Sequence, residues 1–259
     1  MTQAGNADGR VTLEVASRIG TITLDRPAKH NAITPAMAAQ LADACRAVDA
    51  DPEVRVVVVR GGGERAFSAG SDLNALGEVQ GVWAFRNRTE YAAVVRAIRK
   101  PVVAQLRGWV LGGGLEIAIA ADVRIAGRSS KLGAPEVTRG WVGGGGASQV
   151  VPRLAGMGRA MHLLLGGHHV TAEQALAMGL VEEVVDDAEL EARVQAYAAI
   201  VAGHSAVATQ AVKAAVRAAA EMPLTSGLQY ENELHVVCMQ EKDRAEGIAA
   251  FQQKRDANF

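Results

Sequence analysis

Two glutamates carry the residue types and surroundings that general acid–base chemistry needs. Glu116 follows a glycine run at residues 112–114 within LGGGLEIAIAAD, and Glu136 lies 20 residues on, in GAPEVTRG. The background of Glu116 is apolar (Leu115, Ile117, Ala118, Ile119), so its carboxylate is either buried for a purpose or part of a solvated stripe. If the intervening strand folds back beside the helix, both carboxyl groups face one pocket. Two groups so placed can hold a water, one accepting its proton while the other donates to carbon, and partial burial separates their pKa values as that division requires.

Three glycine runs frame these acids: residues 61–63 in GGGERAFSAGSDL, 112–114, and 143–146 in GWVGGGGASQ. Glycine lets a ligand atom approach backbone N–H groups with no Cβ in the way. The run at 112–114 opens directly into an apolar helical stretch, so its free amides sit at a helix N-terminus, where developing negative charge is favoured. Gly61-x-Gly63-x-x-Ala66 imitates a dinucleotide-binding fingerprint. It is followed by FSAGSDL instead of the apolar helix that such a fingerprint requires. No phosphate-loop, HExxH or paired CxxC pattern occurs. His168 and His169 are adjacent and point apart on an extended chain, while His30, His204 and His235 have no partner by spacing.

Positioning these residues calls for alternating strands and helices. Residues 11–24 alternate apolar and polar with a break at Ser17-Arg18, which predicts a hairpin ended by Asp25-Arg26-Pro27. Thr34-Pro35 is a helix start, and Met37, Leu41, Ala44 and Val48 recur at helical spacing. Residues 54–59 and 102–106 read as strands covered on both faces. Between them Tyr91, Val94, Val95 and Ile98 mark a helix stopped before Pro101. Further strands are predicted at 123–126 and 181–185, and Thr171-x-x-Gln174 opens a capped helix that closes at Gly179. This is α/β order. Beyond about residue 187 only helical patterns remain, either a separate layer or subunit contact, or a cap on the same domain.

A chain of 259 residues can bury roughly 70% of its extended surface, so it needs no staples. Cys45 and Cys238 match no metal or redox pattern and are expected to be free thiols in a reducing compartment. With 27 basic against 28 acidic residues, no global field draws the chain to nucleic acid or an anionic membrane. The first ten residues lack an apolar leader core and no apolar run is long enough to span a bilayer, so a soluble cytoplasmic protein is expected.

In LDRPAKHNAIT (24–34), GGGERAFSAGSDL (61–73), RGWVLGGGLEIAIAADVRIA (107–126), LGAPEVTRGWVGGGG (132–146), VTAEQALAMGLVEEVV (170–185) and EGIAAFQQKRDANF (246–259), the chain resembles the enoyl-CoA hydratase (crotonase) superfamily along nearly its whole length. The resemblance implies a spiral of ββα units over residues 1–186 and a helical region, 187–259, that builds homotrimers often paired into hexamers. It implies an oxyanion hole from the backbone N–H groups of Ser71 and Gly113, with Glu116 and Glu136 in both catalytic glutamate positions. Ala69, Asp72 and Leu73 would lie along the coenzyme A moiety and Lys29 would meet its phosphates. Trp141 and Gly144 would border the acyl pocket, and Lys254 and Phe259 fit a tail reaching coenzyme A on a neighbouring subunit.

The activity so implied is hydration of a trans-2-enoyl-CoA to a 3-hydroxyacyl-CoA with no metal or redox cofactor. The alternatives are a sister reaction, either double-bond isomerisation or hydration and cleavage of aromatic enoyl-CoAs, or a silent acyl-CoA-binding protein. Two departures stand out. Serine at 71 replaces a frequent alanine, and residues 143–146 are all glycine where many members read P-G-A-G-G, which is expected to loosen the turn beside the water site.

Overall fold

The computed structural model describes residues 9–78 and 81–259; the N-terminal stretch on which the expectation of no leader rests, residues 1–8, lies outside them. The predicted hairpin forms as β1 (Arg10–Ala16) antiparallel to β2 (Ile19–Asp25). Ser17 and Arg18 both take left-handed φ, at 51° and 65°, which matches the turn twist to that of the strands. Thr34 then caps α1 (Pro35–Ala50) by accepting from the Met37 N–H. The face of α1 carrying Met37, Leu41, Cys45 and Val48 is buried.

Strand β3 (Val56–Gly61) begins two residues later than the apolar run and pairs parallel with β2. After β4 (Ala66–Ser68) come three short helices, α2 (Leu73–Glu78), α3 (Val82–Arg86) and α4 (Tyr91–Arg96). The last stops short of Ile98, well before Pro101. Then follow β5 (Val102–Leu106), β6 (Trp109–Leu111), α5 (Gly113–Ala120), β7 (Val123–Gly127) and β8 (Lys131–Gly133). Helices α6 (Ala147–Ala155) and α7 (Met157–Gly166) lead to β9 (His169–Thr171), α8 (Ala172–Met178) and β10 (Glu183–Val185), shorter than the strand predicted at 181–185. Thr171 and Gln174 form the predicted capping box on α8, and Gly179 closes it at φ 78°.

The main sheet has the order β1-β2-β3-β5-β7-β10, parallel from β2 onward. Its strands β3 and β5 are buried on both faces, as their unbroken valine runs require. A second, four-stranded sheet of β4, β6, β8 and β9 stands beside it. The mixed α/β architecture of repeated strand–strand–helix units is the predicted one, but the three-residue strands of this second sheet were illegible because none is long enough to show a period. The dinucleotide-like glycine motif runs into β4 instead of opening directly into a helix, so its glycines do not sit at a phosphate-binding helix start.

Four helices complete the chain: α9 (Leu190–Ala202), α10 (Ala206–Ala218), α11 (Leu224–Gln240) and α12 (Lys242–Gln253). Leu190, Val194 and Ala198 of α9 pack with Val56, Val58, Val103 and Ile125 on one face of the main sheet. The helical region therefore starts inside the sheet core, whereas α10 and α11 bury no residue completely. His168 packs edge-on against His162 and His169 against Trp109, so the adjacent histidines do point apart.

Candidate active site

Between the second sheet and helices α2–α4 lies a cavity of about 1000 Å³. Ten of the twelve residues singled out from the sequence line it: Lys29, Ala69, Ser71, Asp72, Leu73, Gly113, Glu116, Glu136, Trp141 and Gly144. Lys254 and Phe259 do not; Lys254 caps α12 in a left-handed conformation and the Phe259 carbonyl accepts from Arg18. A contact with a neighbouring subunit's ligand would need an assembly.

The amide cradle is built by close backbone approach. Gly70, at φ 86°, packs so tightly on the start of α5 that a Cβ there would stand 2.7 Å from the Gly113 nitrogen. Ile33 brackets Ser71, its N–H bonding the Gly70 carbonyl at 2.7 Å and its carbonyl accepting from Asp72 at 2.9 Å. In that parallel bridge the N–H of Ser71 itself points away from Ile33, toward the cavity it lines. Gly113 is the first residue of α5, so its N–H has no carbonyl within the helix to bond. Two main-chain donors thus border one space at a helix N-terminus.

The carboxylates converge beside it. Glu116 is 3% exposed and Glu136 9%. A Cβ placed on Gly143 would lie 2.6 Å from Glu116 Oε1 and 3.4 Å from Glu136 Oε1, so the two oxygens can be no farther apart than those distances laid end to end. Two hydrogen bonds of about 3 Å through one water span such a gap. The Glu116 oxygen accepts from the N–H groups of Gly145 (2.7 Å) and Ala147 (3.2 Å). Burial pushes both carboxyl groups above the ordinary glutamate range. For Glu116 the two amide bonds oppose that push while the charges of Glu136 and Glu90 add to it; for Glu136 the nearby Arg139 opposes it.

The glycine run at 143–146, expected to be loosened, is tied to the site by the Gly145 N–H, which bonds Glu116. Gly143 and Gly145 are pressed against Glu116, a Cβ on Gly145 falling 2.6 Å from its Oε2 and 2.8 Å from Glu90 Oε1. A Cβ at either position would have to push the Glu116 carboxylate aside, and the N–H groups of Gly145 and Ala147 hold that carboxylate in place.

At the other rim Asp72 is ion-paired with Arg26 at 2.6 Å, which holds its carboxyl below the usual range, and it bonds the Asn74 N–H at the start of α2. Lys29 closes a single 3₁₀ turn, exposed at the cavity mouth. Leu73 and Trp141 present half-exposed apolar surface. Among the lining residues that escaped the sequence reading are Arg88, Glu90, Tyr91 and Arg139. Tyr91 was read as an apolar helix position, yet its hydroxyl is 2.7 Å from Ser71 Oγ. Glu90 caps α4 by accepting from Ala92 and Ala93, a role that a glutamate outside the usual capping types does not advertise.

A profile of the enoyl-CoA hydratase/isomerase family matches residues 14–259. The chain is 38% identical over 244 residues to the 2,3-dehydroadipyl-CoA hydratase of Escherichia coli, covering 93% of this chain and 95% of that one. It is 35% identical over 251 residues to the (E)-benzylidenesuccinyl-CoA hydratase of Thauera aromatica, covering 96% and 98%. The crystal structure of an enoyl-CoA hydratase from Bacillus anthracis superposes with a TM-score of 0.92 at 32% identity, covering 96% and 98% of the two chains. Profile, relatives and fold agree over nearly the full length, and the chain belongs to the enoyl-CoA hydratase/isomerase (crotonase) superfamily.

Proposed function

We propose that this chain adds water across the 2,3 double bond of a trans-2-enoyl-CoA to give the 3-hydroxyacyl-CoA. The observation that carries the reading is the meeting of two buried carboxyl groups at Gly143 in a cavity that two backbone donors also line. In the proposed cycle the thioester oxygen rests on the N–H groups of Ser71 and Gly113, which polarises C3. Glu116, fixed by two amides, takes a proton from the bridging water as its oxygen bonds to C3. Glu136 delivers a proton to C2, and proton exchange between the two acids restores the starting state. Each atom of water is thereby accounted for, and no metal or redox group enters the reaction. Asp72, held by Arg26, and Lys29 line the path we assign to the coenzyme A moiety, with Ala69 and Leu73 against it; Trp141 and Gly144 border the acyl end.

The apolar residues left exposed on the C-terminal helices, among them Val212, Val216, Leu224, Leu228 and Phe251, support self-association through this region as trimers or hexamers. No helix among the described residues is long and apolar enough to cross a membrane, and both cysteines are free, which fits the cytoplasm we propose. Loss of enoyl absorbance on adding crotonyl-CoA and longer 2-enoyl-CoAs tests the activity. Turnover abolished in both Glu116→Gln and Glu136→Gln is expected. Full turnover in either variant removes that residue from the mechanism, and tight acyl-CoA binding without turnover by the unaltered protein rejects hydration. Light scattering on the eluting protein reads the oligomer.

A further inference from the structure

Tyr91 opens α4 and stands partly buried in the cavity wall, in contact with both segments of the amide cradle. Its hydroxyl is 2.7 Å from Ser71 Oγ. Its ring edge lies on the Cα of Gly113: a Cβ built there would overlap the phenolic oxygen and come within 2.7 and 2.8 Å of Cζ and Cε2. The phenol therefore sits over the same two residues whose main-chain N–H groups are assigned to the thioester oxygen. Burial pushes Tyr91 up to about 12, with the charges of Glu116 and Glu90 adding to the push, so the phenol keeps its proton at neutral pH. The Ser71 hydroxyl can donate to the phenolic oxygen, and the phenol's own proton is then left to point into the cavity.

We propose that the Tyr91 hydroxyl is a third hydrogen-bond donor to the thioester oxygen, oriented by the side chain of Ser71. The inference rests on the reading of the 71 and 113 amides as that oxygen's cradle. An oxygen gaining enolate character has acceptor capacity for more than two donors, and a donor already fixed by a neighbouring hydroxyl needs no reorganisation as charge develops. The arrangement also gives Ser71 a role for its side chain, where the cradle itself uses only its backbone. It explains why residue 113 must be glycine here: any side chain would displace the phenol.

The test combines Tyr91→Phe and Ser71→Ala with isotope-edited infrared difference spectra of a bound acyl-CoA carrying a ¹³C-labelled thioester carbonyl. Removing one donor of this kind costs about 10²–10³ in rate, so Tyr91→Phe should lower kcat by about 10²-fold with KM little changed. Ser71→Ala should lose less, because only the orientation of the phenol is relaxed. The bound carbonyl, shifted to lower frequency in the unaltered protein, should move back toward its free value in Tyr91→Phe. A merely structural Tyr91 would leave that frequency unmoved, and an unmoved frequency with kcat intact overturns the proposal. A carbonyl that shows no shift even in the unaltered protein would instead overturn the cradle, and the spectrum reads both results whether or not the protein turns over.

Discussion

The Glu116 carboxylate and the Gly145 backbone nitrogen are joined by a 2.7 Å hydrogen bond across 29 residues of sequence, with no room between them for a side chain. Orientation of the proposed base is thus set by the glycine loop as much as by α5. Gly145→Ala forces a Cβ to within 2.6 Å of Glu116 Oε2, closer than real Cβ contacts come. A displacement on the scale of 1 Å at a reacting group costs about 10²-fold in rate. The expected result is a kcat lowered by roughly that factor with acyl-CoA affinity retained, read by steady-state kinetics beside an equilibrium titration.

The pH behaviour of the paired acids has a definite sign. Both carboxyl groups are pushed up from 4.5 in the fold, chiefly by burial, so the folded state binds their protons more tightly than the unfolded chain does. Their contribution therefore favours the fold below the ordinary glutamate range and is lost as pH rises through the folded pKa values. Glu116→Gln, whose amide oxygen can still accept from Gly145, should raise Tm at pH 7, and the gain should vanish when the melts are repeated near pH 4.5. The same substitution should lower kcat by about 10²–10⁴. The acid limb of kcat/KM should fall above 4.5. A lower Tm at pH 7 would show that the carboxylate stabilises the fold.

The elements legible beforehand are those that carry a repeating local signal. The valines of β3 and β5, the spacing along α1 and the capping box of α8 each announce themselves within one turn or one strand. The Gly113 half of the proposed cradle could be read from the glycines at 112–114 that head an apolar helix, whereas Ser71 followed only from the family resemblance. Tyr91 was not legible: its hydroxyl meets Ser71 only because α4 folds over the start of α5, a contact between segments 20 residues apart with no shared motif. Glu90 and Arg88 reach the cavity by the same folding. The bond between the loop at 143–146 and Glu116 was illegible for a related reason. Composition reports how freely a glycine can move, and only packing reports how closely its neighbours press on it.

Asn31 joins the 26–32 loop, which lines the mouth of the cavity, to the loop at 62–66. Fully buried and at φ 52°, it accepts from the Arg26 N–H at 2.8 Å and donates to the carbonyls of Gly62 (3.0 Å) and Ala66 (2.7 Å). Asn31→Ala strands three backbone groups and puts a residue without a polar side chain in the left-handed region. A loss of about 2–3 kcal/mol is expected, since each buried group left unpaired costs about 1–3 kcal/mol and partial rehydration recovers some of it. Urea unfolding should show this as a lower midpoint at constant slope, and, if the proposed coenzyme A path is right, a weaker affinity for coenzyme A, because the 26–31 loop carries Lys29 and Arg26.

Asp122 ties the C-terminal helices to the main sheet. Its carboxylate accepts from Lys213 at 2.7 Å, from Arg217 at 2.8 Å and from the Val102 N–H at 2.8 Å, so one side chain joins α10 to the first residue of β5. Burial pushes Lys213 down to about 8 even with Asp122 beside it. Asp122→Asn removes the counter-charge and leaves a cation that has little water around it. Breaking a buried pair from one side costs about 3–5 kcal/mol, and the partial exposure of Asp122 puts the expectation at the lower end, about 3 kcal/mol. The lysine fixes the pH sign: Asp122 helps the fold keep the Lys213 proton, so the variant's deficit is present while the unaltered fold holds that proton and is gone once pH rises past about 8, where the lysine is neutral with or without Asp122. Thermal melts of the variant should therefore lie closest to those of the unaltered protein at alkaline pH. A deficit that is the same at pH 7 and pH 10 would mean that the Val102 hydrogen bond, and not the lysine charge, carries the effect.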